Sequence, residues 1–180
     1  MGQGWTGRWV SLGLLVALGL AMMAAAAPAS AQSQPTQNET TEDRLFEDWT
    51  LRCLPATESQ PRTCRMVQSV AASEGGQRLL QVTVGRFGPE RLLGAVISVP
   101  IGVRLPPGIS LWADDRKPWK FPFERCTPGG CQVRALLHEE LVQSLKTGLV
   151  GRVTFQDAAG QPITVDFSLK GFTAALSELP

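Results

Sequence analysis

Residues 167–176 read "FSLKGFTAAL", which sets the hydroxyl of Ser168 two residues from the amine of Lys170. Residues two apart on a β-strand share a face, so a serine–lysine dyad for nucleophilic catalysis could form there. A dyad also needs donors for a developing oxyanion, and the surrounding sequence names none. The competing reading is mechanical. Phe167 and Leu169 would take the opposite, buried face, and Gly171 would allow a sharp reversal through a positive φ. Phe172, Ala175, Leu176 and Leu179 would then line one closing turn of helix. That reading uses the whole stretch, so a structural clip is expected here.

The other reactive side chains point the same way. His138 is the only histidine, and no G-x-S-x-G elbow accompanies it, so it reads as a polar residue at a helix start rather than a triad base. Glu139–Glu140 and Asp114–Asp115 are adjacent pairs. Adjacent residues diverge on a strand and do not face each other on a helix, which disqualifies both as acid–base pairs. Gly2, Gly4 and Gly7 spell G-x-G-x-x-G, but ahead of an apolar segment and with no strand before them, a chance match. No catalytic residue, metal ligand or cofactor-binding residue is assigned, and no cofactor is expected.

One stretch suits binding. In "LWADDRKPWKFPFERC", Trp112 and Trp119 flank Arg116, Lys117 and Lys120, a mixture able to stack on sugars or dock on a protein or headgroup surface. Trp112, Arg116, Lys117 and Lys120 form the candidate partner-binding surface. Trp119, Phe121 and Phe123 alternate with Lys120 and Glu124 and read as core-facing.

These residues must be positioned by a fold. Residues 1–31 read as a signal peptide: Arg8, an apolar stretch from Leu12 to Ala27, then Ala29-Ser30-Ala31 as a cleavage site before Gln32. A retained membrane anchor is the rival reading of the apolar stretch. Cleavage would remove Arg8 from the 17 basic residues and leave them balanced against the 16 acidic ones. That overall balance gives no footprint for nucleic acid or an anionic membrane. Residues 32–43, polar throughout, read as a disordered leader, and residues 44–180 as a single domain.

Cys53, Cys64, Cys126 and Cys131 form an even set in an exported chain, which implies two disulfides. Three pairings are open, and the short intervals favour Cys53–Cys64 and Cys126–Cys131. Zinc is the competing use of four thiols, but the intervals lack the two-residue knuckle of a ribbon.

Period-two alternation recurs from "FEDWTLRC" through "CRMVQSV", "RLLQVTVGR", "ISLWAD", "WKFPFERC", "CQVRALL", "VGRVTFQD" and "ITVDFSLK". "LLGAVISVPIGV" is nearly all apolar, as a strand covered on both faces would be. Only Leu137, Leu141, Val142 and Leu145 follow a helical period, with Glu139 and Glu140 at the start, Lys146 at the end and Gly148 suited to a left-handed C′ position. The expected class is all-β, a sandwich of two antiparallel sheets with one short helix and a C-terminal helical turn.

The landmarks "FEDWTLRC", "RTCRM", "LPPGISLWAD", "PFERCTPGGC", "SLKTG" and "FSLKGFTAAL" together resemble the invasion-associated locus B family of exported Gram-negative proteins. The resemblance runs from about Leu45 to Leu179. It implies an immunoglobulin-like β-sandwich in the periplasm or at the outer envelope, associated in some pathogens with host-cell invasion and assigned no reaction. The expected function is thus non-catalytic, with an envelope or host protein or a glycan as partner and no nucleic acid. A periplasmic enzyme using Ser168 and Lys170 is the alternative.

Overall fold

The structure is a computed structural model and describes residues 41–180. Residues 1–31, read as a signal peptide, and residues 32–40, read as part of a leader, lie outside the described residues. In chain order the elements are β1 (Glu42–Phe46), β2 (Trp49–Leu54), β3 (Thr63–Ala71), β4 (Arg78–Phe87), β5 (Leu92–Val99), β6 (Ile109–Ala113), β7 (Trp119–Phe121), β8 (Phe123–Thr127), β9 (Gly130–Leu136), α1 (Glu139–Thr147), β10 (Val150–Gln156), β11 (Pro162–Ser168) and α2 (Phe172–Ser177). A seven-stranded sheet runs in the order β1-β2-β3-β4-β5-β9-β8, and a four-stranded sheet in the order β11-β10-β6-β7. Neighbouring strands are antiparallel throughout both sheets.

Alternation builds the core. Trp49, Leu51 and Cys53 of β2, Leu80, Val82 and Val84 of β4, and Val133 and Ala135 of β9 are buried from the larger sheet. Ile109, Leu111, Val153, Phe155, Val165 and Phe167 are buried from the smaller one, and both sets belong to a single apolar cluster. The all-β sandwich expected from period two is the fold observed. Leu137, Leu141, Val142 and Leu145 of the α1 segment are buried in the same cluster.

Both disulfides form in the expected pairing, Cys53–Cys64 and Cys126–Cys131. Each joins residues directly opposite one another, on β2 and β3 and on β8 and β9.

Four local expectations need correction. Glu42 and Asp43, placed in the leader, belong to β1, where they lie opposite Cys53 and Arg52 and pair with Arg62 and Arg52. The polar composition hid a strand that is held by ion pairs rather than burial. "WKFPFERC" is two strands, because Pro122 has no N–H to continue a ladder. Phe121 pairs with Ile109 in one sheet and Phe123 with Val133 in the other. The apolar run after Leu92 ends as a strand at Val99, and β5 is central rather than covered on both faces: it lies between β4 and β9, with Leu92 48% exposed. Gly148 has φ −80°, so it is not a left-handed cap. A Cβ there would sit 3.0 Å from Ala113, Asp114 and Leu169 atoms, so close approach explains the glycine.

Candidate functional site

Ser168 ends β11 and is held from three directions. Its carbonyl accepts hydrogen bonds from Trp49 Nε1 at 3.0 Å and Gln68 Nε2 at 3.1 Å, and its N–H donates to Gln68 Oε1 at 2.8 Å. Its Oγ accepts the backbone N–H of Lys170 at 3.1 Å. Gln68 lies on β3 of the other sheet, so its amide pins the two layers together. Lys170 is exposed, while Phe167 and Leu169 are buried. Gly171 adopts φ +79°, and a Cβ on it would fall 2.0 Å from the Phe46 carbonyl oxygen. No L side chain fits there. Phe172 is 1% exposed and meets Trp49 edge-to-face at 5.3 Å, with Phe167 on the same indole at 6.3 Å. The clip expected from the sequence is what forms, and the hydroxyl is engaged by its own backbone.

The predicted surface set falls on two sides of the smaller sheet. Trp112 lies between buried Leu111 and Ala113, so alternation turns it outward, opposite Arg152. Lys120, opposite Ser110, is exposed. Arg116 instead donates to Thr147 Oγ1 at the end of α1, at 2.9 Å. With Lys117, Trp119, Glu140 and Ser144 it lines a cleft of about 70 Å3. Trp119, Phe121 and Phe123 are half-buried against the core, as alternation predicted.

The remaining titratable groups have structural work. His138 takes the N-cap position of α1 without a side-chain capping bond, and its ring packs edge-on against Trp119 at 4.1 Å. Its Nε2 is buried and has no hydrogen-bond partner among the described residues. The Asp114 carboxylate accepts the N–H groups of Leu149 and Val150 and so fastens the start of β10 to the β6–β7 turn.

The outer face of the larger sheet is a feature that the sequence reading did not single out. Arg52, Arg65 and Arg134 each lie between two buried residues and therefore project outward. Arg52 forms an ion pair with Asp43 at 2.8 Å, and Arg134 with Glu124 at 3.0 Å. The hydrogen bond from Arg52 holds the Asp43 carboxyl below its ordinary range; partial desolvation opposes this and charge attraction adds to it. Arg78 donates to Gln81 Oε1 at 2.7 Å and to the Gly129 carbonyl at 3.1 Å. Arg125 donates to Gln132 Oε1 at 2.9 Å, and the Arg65 guanidinium lies 5.6 Å from the centre of the Phe87 ring. Across β3, β4, β5 and β9, Ser69, Gln81, Ser98 and Gln132 follow one another in register. A depression of about 420 Å3 near Thr50, Ser69 and Gln81 adjoins one of about 240 Å3 near Thr63, Arg65 and Thr83. Period two signals outward residues without showing which ones meet across strands, so this grouping depended on register.

A family model described as Invasion associated locus B (IalB) protein matches residues 49–180. Invasion protein B homologs from two strains of Brucella abortus are each 30% identical over 135 residues, covering 74% of this chain and 76% of theirs. The crystal structure of invasion associated protein B from Bartonella henselae superposes with a TM-score of 0.67 at 18% identity, covering 76% of this chain and 92% of that one, a likeness of fold. With 132 residues matched by one family model and relatives aligned across the same domain, the chain belongs to the invasion associated locus B family.

Proposed function

We infer that this invasion-associated protein is exported, resides in the periplasm or at the outer envelope, and acts by binding rather than by catalysing a reaction. Export rests on Arg8, the apolar stretch behind it and Ala29-Ser30-Ala31, with a mature chain beginning at Gln32. Two disulfides fit an oxidising compartment. Among the described residues no helix is long and apolar enough to cross a membrane.

The observation that carries the non-catalytic reading is the state of Ser168. Its Oγ accepts the N–H two residues on, and its backbone is gripped by Gln68 and Trp49, which makes it a strand terminus rather than a poised nucleophile. Trp112 and Lys120, with Arg116 and Lys117 at the margin, supply the surface for an envelope or host protein or a glycan.

Complementation of a strain lacking the protein tests each part. Ser168→Ala and Lys170→Ala are expected to restore host-cell invasion fully, and the combination Trp112→Ala with Lys120→Gln to restore little. Mass analysis of the periplasmic fraction should give Gln32 as the first residue. A folded Ser168→Ala protein without activity would overturn the binding reading in favour of a Ser168–Lys170 enzyme. Full activity of the Trp112 and Lys120 variant would remove that surface from consideration.

A further inference from the structure

We propose that the outer face of the larger sheet binds an anionic glycan, a chain of sugars carrying carboxylate or sulfate groups, laid across β3, β4, β5, β9 and β8. This is independent of the reading above, which concerns the smaller sheet.

The first argument is the kind of charge. The outward cations of this face are Arg52, Arg65, Arg78, Arg125 and Arg134, while the lysines of the chain, at 117, 120, 146 and 170, all lie elsewhere. Guanidinium presents a planar fork that matches a carboxylate or sulfate with two parallel hydrogen bonds, which an ammonium does not. The near-zero charge of the whole chain hides this segregation.

The second argument is how the arginines are held. Among the described residues no carboxylate lies within 4 Å of Arg65, Arg78 or Arg125, although Arg52 and Arg134 are neutralised by Asp43 and Glu124. Arg78 and Arg125 are oriented instead by the amide oxygens of Gln81 and Gln132. An amide fixes a guanidinium without cancelling its charge and leaves other N–H groups free. A pair of carboxylates in those positions would have served stability equally well and closed the site to anions.

The third argument is what lies between. Ser69, Gln81 and Gln132 place a hydroxyl and two amides in one row, with the small, buried Ser98 between the amides, and Arg125 continues it on β8. At the interstrand spacing of about 4.8 Å the row spans roughly 19 Å, several sugar units rather than one. Hydroxyls and amides pair with sugar hydroxyls in either direction. Single-stranded nucleic acid calls for aromatic platforms on which bases stack. The aromatic ring on this face, Phe87, lies under Arg65. The adjoining depressions, lined by Thr50, Ser69 and Thr83 with Arg65, give the chain a furrow at the β2 to β4 end, in which Asp48 is the one carboxylate.

Fluorescence anisotropy with a labelled heparin decasaccharide tests the proposal on the disulfide-bonded protein from Gln32 onward. Wild type should bind, and neutral dextran should not compete. Arg78→Gln with Arg125→Gln should weaken binding by about tenfold or more, since charge-assisted bonds carry about that much each. Gln81→Ala with Gln132→Ala preserves every charge yet should also weaken binding by several-fold, because the forks lose their orientation. Lys146→Gln, at an exposed lysine of α1 outside both surfaces, should change nothing. Coincident thermal melts would establish that the variants fold. Absence of binding by wild type, an unchanged affinity in the Gln81 and Gln132 variant, or equal binding of single-stranded DNA or phosphatidylglycerol vesicles would each overturn the proposal.

Discussion

The C-terminal clip and the outer face of the larger sheet use the same polar groups to opposite ends. In the clip, Gln68 spends its amide on the backbone of Ser168, and Trp49 uses its indole N–H on the same residue while Phe167 and Phe172 pack its ring. The side-chain polar groups of Gln68 and Trp49 there end on other parts of the chain. On the sheet face, Gln81 and Gln132 orient arginines that then point at solvent. The first arrangement is closed and should register substitutions as stability; the second is open and should register them as affinity.

The sharpest break of that comparison is at Phe172. Phe172→Ala empties a fully buried aromatic site and should cost about 3 to 5 kcal/mol in a denaturant melt. Gly171→Val should be at least as damaging, because a β-branched residue resists φ +79° and its Cβ would collide with the Phe46 carbonyl. Neither change touches the sheet face, so whatever protein still folds should keep its glycan affinity. Stability losses below about 1 kcal/mol would mean that the clip is not closed.

Next come the disulfides, one within each region's reach. Cys53–Cys64 closes the longer loop and both its residues are buried, whereas Cys126 is exposed on the hairpin beside Arg125. In the loop-entropy model they contribute about 3 and about 2 kcal/mol. Paired alanine substitution should therefore cost more at 53 and 64. The 126 and 131 pair should lose less stability but should weaken glycan binding, because Arg125 and the Gly129 carbonyl that anchors Arg78 lie on that hairpin.

The two regions also differ in how far the sequence disclosed them. The clip was legible because it is local: Phe167, Leu169, Gly171 and Phe172 follow one another, and period two passing into a helical stripe names each one's direction. Its deepest reinforcement, Gln68, was not legible, since it sits 100 residues away and nothing in "MVQSV" marks that amide for Ser168. The sheet face was illegible for the same reason on a larger scale. Arg78, Gln81, Gln132 and Arg125 come together only once β4, β5, β9 and β8 are in register. Pro122 was visible, but its consequence, a change of sheet in mid-stretch, required knowing that β7 and β8 have different neighbours.

That distant reinforcement predicts a graded response within the clip itself. Gln68→Ala strips two bonds from the half-buried backbone of Ser168 and should cost about 1 to 3 kcal/mol. Ser168→Ala loses one bond to an exposed N–H and should cost about 1 kcal/mol at most. Lys170→Ala should stay within about half a kcal/mol, as exposed changes do. A reversed order would mean that the serine hydroxyl carries more than its geometry allows.

The smallest effect expected lies where the open face is closed by an ion pair, at Asp43 and Arg52. The pair holds the Asp43 carboxyl below the ordinary aspartate range, so the folded protein binds this proton less readily than the unfolded chain does. The stabilisation it gives is present above the unfolded value and is lost as pH falls through the lowered one. Wild type and Asp43→Asn should therefore differ slightly in thermal midpoint at pH 7, and that difference should narrow only in the acid range below about 4. High salt should narrow it too, because both side chains are solvent-exposed. Removing Asp43 also frees the Arg52 fork, so the same variant should bind the decasaccharide somewhat more tightly at pH 7, while its melts barely move. A variant that loses stability without gaining affinity would place this pair with the closed region, and the boundary between the two would run between β2 and β3.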